Sequence, residues 1–205
     1  MTYPAPRRLA ALLLLAALLS GPRLAATGEP PGVATAKLAA NCYGKLDALR
    51  FGQQQGPAVF TQQEINAYLA LNKDRLFKSA AQEVKVTLAK DRFFVNASGD
   101  LAKANLKMDS LLHKAFMWIL KGNHRIEAEL QFTSRDRRGT YQIKMLRIDG
   151  IRVPETLANA LARQVGQRQR PPLLPGEAFH LPAQIEHCLV TRHAVTCYPA
   201  RAGKR

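Results

Sequence analysis

Two cysteines and two histidines lie close together near the end of the chain, in the stretch IEHCLVTRHAVTCYP. These residue types allow either a disulfide or a metal site. If Arg192 and His193 form a two-residue turn, Cys188 lies directly opposite Cys197, and in an oxidising compartment this register favours a disulfide. A metal site would also recruit His187 and His193, and it would need ligands on both strand faces and in the turn. We therefore predict the disulfide and keep the metal site as the alternative.

The third cysteine, Cys42, has a spacing typical of a core-facing helical residue. It lies four residues after Leu38 and four before Leu46, so these side chains fall on one helix face. We predict a free, buried thiol whose role is packing.

The sequence offers no recognisable catalytic motif. The serines lack the context of a nucleophile elbow, and no Gly-rich phosphate loop, HExxH helix or zinc-type cysteine spacing occurs. The acidic residues are few and scattered. We predict a protein that is not an enzyme and that needs no cofactor or metal. An enzyme acting on a lipidic substrate is an alternative, and it would require polar groups that converge from distant positions.

The stretch LLHKAFMWILKGNH contains the single tryptophan within five consecutive apolar residues. As an exposed loop, it would place Trp118 at the headgroup level of a membrane, with lysines on phosphate. A buried strand or short helix would have the same composition. The candidates for membrane contact are Phe116, Trp118, Ile119 and Lys121.

The chain is strongly basic, with 30 Lys and Arg residues against 15 Asp and Glu residues and a formal charge of +15. Such a surface attracts nucleic acid, anionic headgroups and other polyanions without distinguishing them. No nucleic-acid-binding module is recognisable, so we predict no nucleic-acid partner. The RDRR run at residues 135–138, and Arg163 with Arg168 and Arg170, could each hold an anionic headgroup, although a solvated face is the simpler interpretation.

The first 26 residues have the pattern of a cleavable export signal. Two arginines precede an apolar run at residues 9–19, and Ser, Gly and Pro follow it. A membrane-spanning helix is the alternative, but it needs roughly 20 apolar residues. We predict cleavage near Ala26 and a periplasmic or secreted protein with a formal charge of +12. Cys42 lies far from the run and follows Asn41, so we predict no lipid anchor.

The stretch FTQQEINAYLA predicts a capped helix. Thr61 and Glu64 have the spacing of a capping box, and Phe60 and Ile65 that of a hydrophobic staple. The helix should therefore start at Thr61 and bury the face that contains Ile65 and Leu69. An earlier amphipathic helix is predicted from Val33 to about residue 51.

Two hairpins follow, each with one apolar face. A turn at Lys90 and Asp91 would pair three apolar residues of one strand with three of the next, namely Val84, Val86 and Leu88 with Ala97, Val95 and Phe93. The second hairpin repeats the alternation, with the apolar residues Ile126, Ala128, Leu130, Phe132, Tyr141, Ile143 and Met145. A sheet with one apolar face folds over helices, so we predict an α+β class.

A further helix after Pro154 would bury Leu157, Leu161 and Val165, and a final hairpin contains the two cysteines. The predicted order is helix, helix, hairpin, linker, hairpin, helix, hairpin. We expect a loose lead-in at residues 27–32, a single domain at 33–199 with its core at 60–199, and a basic tail at 200–205. Residues 33–55 form the N-terminal helix and linker of that domain.

The stretches FTQQEINAYL, VKVTL and VNASGDLAKANLKMDSLL together resemble the YceB-like envelope lipoproteins and, more broadly, one-domain members of the TULIP superfamily of tubular lipid-binding proteins. GIRVPETLANAL and FHLPAQIE are similar to the closing half of that domain. The pattern of Glu64, Asn66 and Leu69 is the most distinctive element of the resemblance. Residues 33–55, the Cys188/Cys197 pair and the missing lipid-attachment cysteine depart from the YceB-like pattern.

The resemblance implies a curved antiparallel sheet wrapped around one long amphipathic helix, with flanking helices and an apolar groove suited to acyl chains. The same apolar stripes could instead pack into a solid core. The groove candidates are Ile65, Leu69, Val84, Val86, Leu88, Phe93, Val95, Leu130, Ile143, Leu157 and Leu161.

These observations predict an exported lipid- or amphipath-binding protein of the bacterial cell envelope, with possible peripheral contact with an anionic membrane. The alternative is a solid-cored envelope adaptor or structural protein that binds a polyanion or a protein partner through its basic surface. The two differ in whether the interior retains lipid and in how strongly binding depends on salt.

Overall fold

The computed structural model describes residues 32–77, 81–100, 122–167, 172–182 and 184–200, and these residues form an α+β fold. A large antiparallel sheet and a smaller three-stranded sheet share one main hydrophobic core with the first two helices. The large sheet is open, because its two outermost strands pair with different neighbours and not with each other.

The first helix, α1, spans Val33–Arg50 and packs against the second helix. Its buried residues recur every three or four positions, at Ala39, Cys42, Leu46 and Leu49. The predicted stripe is confirmed, and Cys42 is a fully buried free thiol.

A short strand, β1, spans Ala58–Thr61 and leads directly into the second helix, α2, at Gln62–Phe77. The capping box is confirmed: the Thr61 amide donates to Glu64 Oε2 at 2.9 Å, and the Glu64 amide donates to Thr61 Oγ1 at 3.2 Å. Phe60 and Ile65 are both buried, as expected of a staple. The sequence did not predict β1, because four residues show too little alternation to separate a strand from a loop.

The large sheet has the strand order β2-β3-β4-β5-β6, and a short strand, β7, pairs with the other end of β5. These strands are β2 at Ala81–Ala89, β3 at Arg92–Asp100, β4 at Asn123–Arg135, β5 at Arg138–Ile148, β6 at Ile151–Arg152 and β7 at Phe179–His180.

The predicted register of the β2–β3 hairpin is confirmed, with Val84 opposite Ala97, Val86 opposite Val95 and Leu88 opposite Phe93. All six side chains therefore lie on one face of the sheet.

The β4–β5 hairpin differs from the prediction at one point. Phe132 pairs with Tyr141 and Leu130 with Ile143, as expected, but the register then shifts so that Met145 pairs with Glu129. The placement of Met145 on the apolar face is therefore wrong. An irregularity between Glu129 and Leu130 moves one residue out of phase, so Leu146 takes the apolar position in place of Met145.

The small sheet has the order β1-β9-β8, with β8 at Ile185–Val190 and β9 at Ala194–Pro199. Cys188 pairs directly with Cys197, and the two form the predicted disulfide. Because the bond uses both thiols, the alternative metal site would lose its two sulfur ligands.

The third helix, α3, spans Glu155–Gln167 and packs against β5. It begins directly after Pro154, as predicted, and its Ala158 joins Ile148 and Val153 in a second, smaller core cluster. The sequence did not predict two short strands, β6 before α3 and β7 after it. Each pairs with one end of β5.

Candidate functional site

The apolar face of the large sheet is buried unevenly. Of the eleven predicted groove residues, five are at most 5% exposed, and they belong to the main core: Ile65, Leu69, Val86, Leu88 and Phe93. These five side chains belong to a closely packed core that also contains residues of α1 and the small sheet, so they would form a wall of a groove and not its open interior.

The other six groove residues keep part of their surface accessible. Val84, Val95, Leu130 and Ile143 are half-buried against the main core, while Leu157 packs on the smaller cluster. Leu161, in α3, is also half-buried.

Cross-strand pairing joins the half-buried sheet residues into one continuous surface, which we call the apolar strip. Its members lie on the same face of neighbouring strands, as the register requires. They are Val84, Val95, Ala97, Ile126, Ala128, Leu130, Ile143 and Leu146. The alternation of the sequence had placed Ala97, Ile126 and Ala128 on this face, whereas Leu146 was missed because the register shift was not visible in the pattern.

Polar side chains of α2 form hydrogen bonds with the outer edge of β2. This edge is one side of the strip. The Asn66 amide nitrogen donates to Val86 O at 2.8 Å, and the Val86 amide donates to Asn66 Oδ1 at 2.7 Å. The Leu88 amide donates to Gln62 Oε1 at 2.8 Å, and Lys73 Nζ donates to Gln82 O at 2.8 Å. These bonds satisfy backbone groups that an edge strand would otherwise leave unpaired, and they fix α2 beside β2.

A partly buried ion pair joins α1 to the start of α2. Lys45 Nζ lies 2.7 Å from Glu64 Oε1 and 2.8 Å from Glu64 Oε2, and it also donates to Val59 O at 2.7 Å. Burial acts to raise the pKa of Glu64, but the hydrogen bonds from Lys45 and Thr61 outweigh it and hold that pKa below its usual value. The Glu64 carboxylate is therefore ionised at neutral pH. The hydrogen bonds that it accepts from Lys45 and Thr61 stabilise the fold.

The buried thiol of Cys42 stays protonated at neutral pH. Burial, with a smaller contribution from Glu64, raises the pKa of Cys42 to about 12 against the opposing effect of Lys45. A thiol that stays protonated is a poor nucleophile and metal ligand, which agrees with the packing role predicted for Cys42.

Replacing Lys45 with Met should lower the free energy of unfolding by about 2 kcal/mol at pH 7, because Glu64 would keep a buried charge without its main partner. In the unaltered protein, the lowered pKa of Glu64 stabilises the fold above the unfolded-state pKa, and this contribution is lost as the pH falls through the folded-state pKa. Urea titrations of both proteins between pH 7 and pH 3 should therefore converge as Glu64 is protonated.

Lys37→Met, which changes an exposed lysine of the same helix, provides the control and should alter stability by less than about 0.5 kcal/mol. A pH-independent gap between the Lys45→Met and unaltered proteins would show that the lysine acts by packing and not by pairing with Glu64.

A hollow of about 190 Å³ lies on the opposite, polar face of the sheet, lined by Gln131, Thr133, Thr140, Tyr141 and Gln142. None of the eleven predicted groove residues lines it. The hollow is therefore distinct from the apolar strip and unsuited to an acyl chain.

Polar contacts also fix the turn between β5 and β6 to the start of β4. His124 Nδ1 lies 2.6 Å from Asp149 Oδ2, and the Arg125 amide donates to Asp149 Oδ1 at 2.8 Å. The hydrogen bond with His124, together with that from Arg125, lowers the pKa of Asp149. In the part of the chain that the structure describes, no three His, Cys, Asp or Glu side chains converge to hold a metal ion.

Several predicted residues fall outside the described residues: the membrane-contact candidates Phe116, Trp118, Ile119 and Lys121, and the basic residues Arg168 and Arg170. Other basic candidates form exposed ion pairs, with Arg163 at 3.1 Å from Glu177 and Arg137 at 3.3 Å from Glu186. Exposed pairs of this kind contribute little to stability.

Comparison with protein families, with curated proteins and with solved structures finds no match for this chain. Among the described helices, none is long and apolar enough to cross a membrane. The function is therefore inferred from the fold and from the apolar strip.

Proposed function

We propose that this chain is an exported lipid- or amphipath-binding protein of the bacterial cell envelope, and that it acts by binding rather than by catalysis. The acyl chain would lie along the apolar strip, between α2 at the β2 edge and α3 at β5. The observation that carries the proposal is the continuity of this half-exposed apolar surface across four neighbouring strands.

The dimensions and chemistry of the strip support an acyl ligand. Four strands at a spacing of about 4.8 Å give a surface about 14 Å wide, framed by two helices. Each buried methylene would contribute about 0.8 kcal/mol, so a chain of several methylenes would bind without any specific polar contact. In this arrangement the sheet would curve around the ligand and α2 in the manner of TULIP proteins.

Two features support the proposed location. The disulfide is consistent with an oxidising compartment outside the cytoplasm. The export signal predicted at residues 1–26 would deliver the mature chain there. We propose a periplasmic or secreted protein in peripheral contact with anionic membrane.

The proposal is tested by placing a charge on the strip. Leu130→Glu puts a carboxylate on a half-buried strip position and should weaken the binding of a fluorescent fatty acid at least tenfold, because the charge would be desolvated by the bound chain. Val86 is unsuitable, since it is fully buried and a charge there would unfold the protein.

Gln142→Glu is the matched control, because Gln142 is exposed on the polar face of β5 next to Ile143. Circular dichroism should show that both variants are folded, and the control should bind the fatty acid as tightly as the unaltered protein. Equal affinities for all three proteins would show that the strip is not the binding site.

A solid-cored adaptor is the second candidate, and the complete burial of five predicted groove residues favours it. Such a protein would engage a polyanion or a protein partner through its basic surface. It predicts binding that weakens steeply with salt and no lipid that remains with the purified protein.

A further inference from the structure

The hollow on the polar face of the β4–β5 hairpin is built from paired side chains. Thr133 lies directly opposite Thr140, and Gln131 lies opposite Gln142, on the face that points away from the core. Because threonine is the shorter residue, the two threonines form the floor and the two glutamines form a wall. Together with Tyr141, these four residues line a volume of about 190 Å³, which we call the polar hollow.

The four polar side chains are uncharged and offer both hydrogen-bond donors and acceptors. The hydroxyl oxygens of Thr133 and Thr140 lie 2.8 Å apart, so one hydroxyl donates to the other and the second keeps its proton for a ligand. Gln142 Oε1 accepts from Lys144 Nζ at 2.6 Å, which leaves the N–H groups of that amide to donate. Within the described residues the Gln131 side chain forms no hydrogen bond, so its amide can donate and accept. A ligand with several hydroxyl groups matches this lining, because each hydroxyl is both a donor and an acceptor.

The volume of the polar hollow suits one sugar ring. A cavity of about 150 Å³ holds a benzene ring, so the 190 Å³ of the hollow can hold a six-membered sugar ring. Pockets for larger ligands usually enclose about 300 Å³ or more. We therefore expect a single sugar unit rather than a longer oligosaccharide within the hollow.

Arg138 adds a positive charge at the end of the polar hollow nearest the hairpin turn. It lies two residues before Thr140 on the same face of β5, which places the two Cα atoms about 7 Å apart. Within the described residues Arg138 forms no ion pair, whereas Arg135, directly opposite it, lies 3.3 Å from Asp136. Arginine binds a carboxylate or phosphate through two parallel hydrogen bonds. Arg138 can therefore receive an anionic group carried by a ligand in the hollow.

We propose that the polar hollow binds a sugar that carries a carboxylate or a phosphate. The ring hydroxyls would bond to the threonine hydroxyls and the glutamine amides, and the anionic group would bond to Arg138. An acyl chain in the same place would leave these polar groups unpaired. The inference does not rest on the proposed function, because the apolar strip lies on the other face of the sheet.

The test is an NMR titration of the isotope-labelled protein with glucuronate, glucose-6-phosphate, glucose and inorganic phosphate. The side-chain amide signals of Gln131 and Gln142 should shift with the two anionic sugars, at a Kd at least tenfold lower than for glucose or for phosphate. A preference for one anionic sugar would support the proposal and identify the anionic group. Phosphate binding as tightly as glucose-6-phosphate, or no shift with either anionic sugar, would overturn it.

Two substitutions separate the contribution of the floor from that of the charge. Thr140→Val keeps the shape of the side chain but removes a hydroxyl, so it should weaken the binding of the preferred anionic sugar at least fivefold. Thr133→Val, at the more exposed floor residue, should have a similar effect and provides a second variant if the first does not fold. Arg138→Gln should weaken binding at least tenfold and remove the preference over glucose.

Thr87→Val and Arg192→Gln are the matched controls. Thr87 is exposed on the same face of the sheet but does not line the polar hollow, and Arg192 is exposed in the turn between β8 and β9. Both variants should bind the anionic sugar as tightly as the unaltered protein. If Arg192→Gln weakened binding as much as Arg138→Gln, or Thr87→Val as much as the floor variants, the proposal would be overturned, because the effect would not belong to the hollow.

Discussion

Gly166→Ala should lower the free energy of unfolding by about 3 kcal/mol and the Tm by about 6–12 °C. A Cβ atom at this position would overlap the carbonyl oxygen of Leu173 and lie 2.8 Å from its carbonyl carbon. These are backbone atoms of a fully buried residue, and the Leu173 amide also donates to Gly166 O at 3.1 Å. The segment cannot move away without losing that bond and the packing of α3, which thermal and urea unfolding would both register.

Gly44→Ala is the matched control, because Gly44 is an exposed glycine within α1 and a Cβ there meets no atom within 4 Å. The better helix former should stabilise the protein by about 0.5–1 kcal/mol. If the two variants instead changed stability in the same direction and to the same extent, the close approach of α3 to Leu173 would be refuted.

Asn66→Ala should cost about 3 kcal/mol, although it shortens one side chain on an otherwise polar helix face. Asn66 acts as a strand partner for Val86, and its removal leaves both the N–H and the C=O of a fully buried residue without their partner. Each buried polar group left unpaired costs about 1–3 kcal/mol. Hydrogen exchange at the Val86 amide should accelerate in the variant, because this amide would lose its acceptor.

Asn72→Ala is the comparison within the same helix. Asn72 donates to Tyr68 O at 3.0 Å, which is a local contact one turn away. We expect a change within about 0.5 kcal/mol, since alanine restores helix propensity. A cost for Asn66→Ala no larger than that for Asn72→Ala would show that β2 does not depend on α2 for its edge.

The sequence predicted those parts of the fold that depend on residues close together in the chain. The capping box of Thr61 and Glu64, the register of the β2–β3 hairpin and the Cys188–Cys197 pairing each depend on residues fewer than about 15 positions apart. Local spacing determines such contacts whatever the rest of the chain does.

Contacts between distant segments could not be read from spacing. The pairing of β1 with β9 joins residues far apart in the chain, and the register shift at Leu130 has no signature in the alternation. The close approach of Gly166 to Leu173 depends on how α3 docks, although a glycine within an amphipathic stripe is a signal that something lies close.

The pattern of Glu64, Asn66 and Leu69 has a structural explanation. The sequence places the three residues in the predicted capped helix, and in the structure each has a different role. Glu64 caps the helix and binds Lys45, Asn66 covers the β2 edge and Leu69 is fully buried. Each of the three residues therefore has a structural role.

The sequence predicted which residues form the candidate site, but not how much of their surface the helices cover. Alternation identifies which side chains share a face, and Val84, Val95, Leu130 and Ile143 were placed correctly on the apolar face. How much of that face is covered depends on helix docking, which separates the buried Val86 and Leu88 from the half-buried strip. The strand β6 was not predicted because it has only two residues.

Native mass spectrometry of the purified protein, combined with organic extraction and lipid analysis, tests the central claim most directly. We predict a stoichiometric acyl-bearing species in the unaltered protein and in Gln142→Glu, and its loss in folded Leu130→Glu. A bare mass after gentle purification, with no uptake from added membrane extract, would contradict lipid binding and favour the solid-cored adaptor.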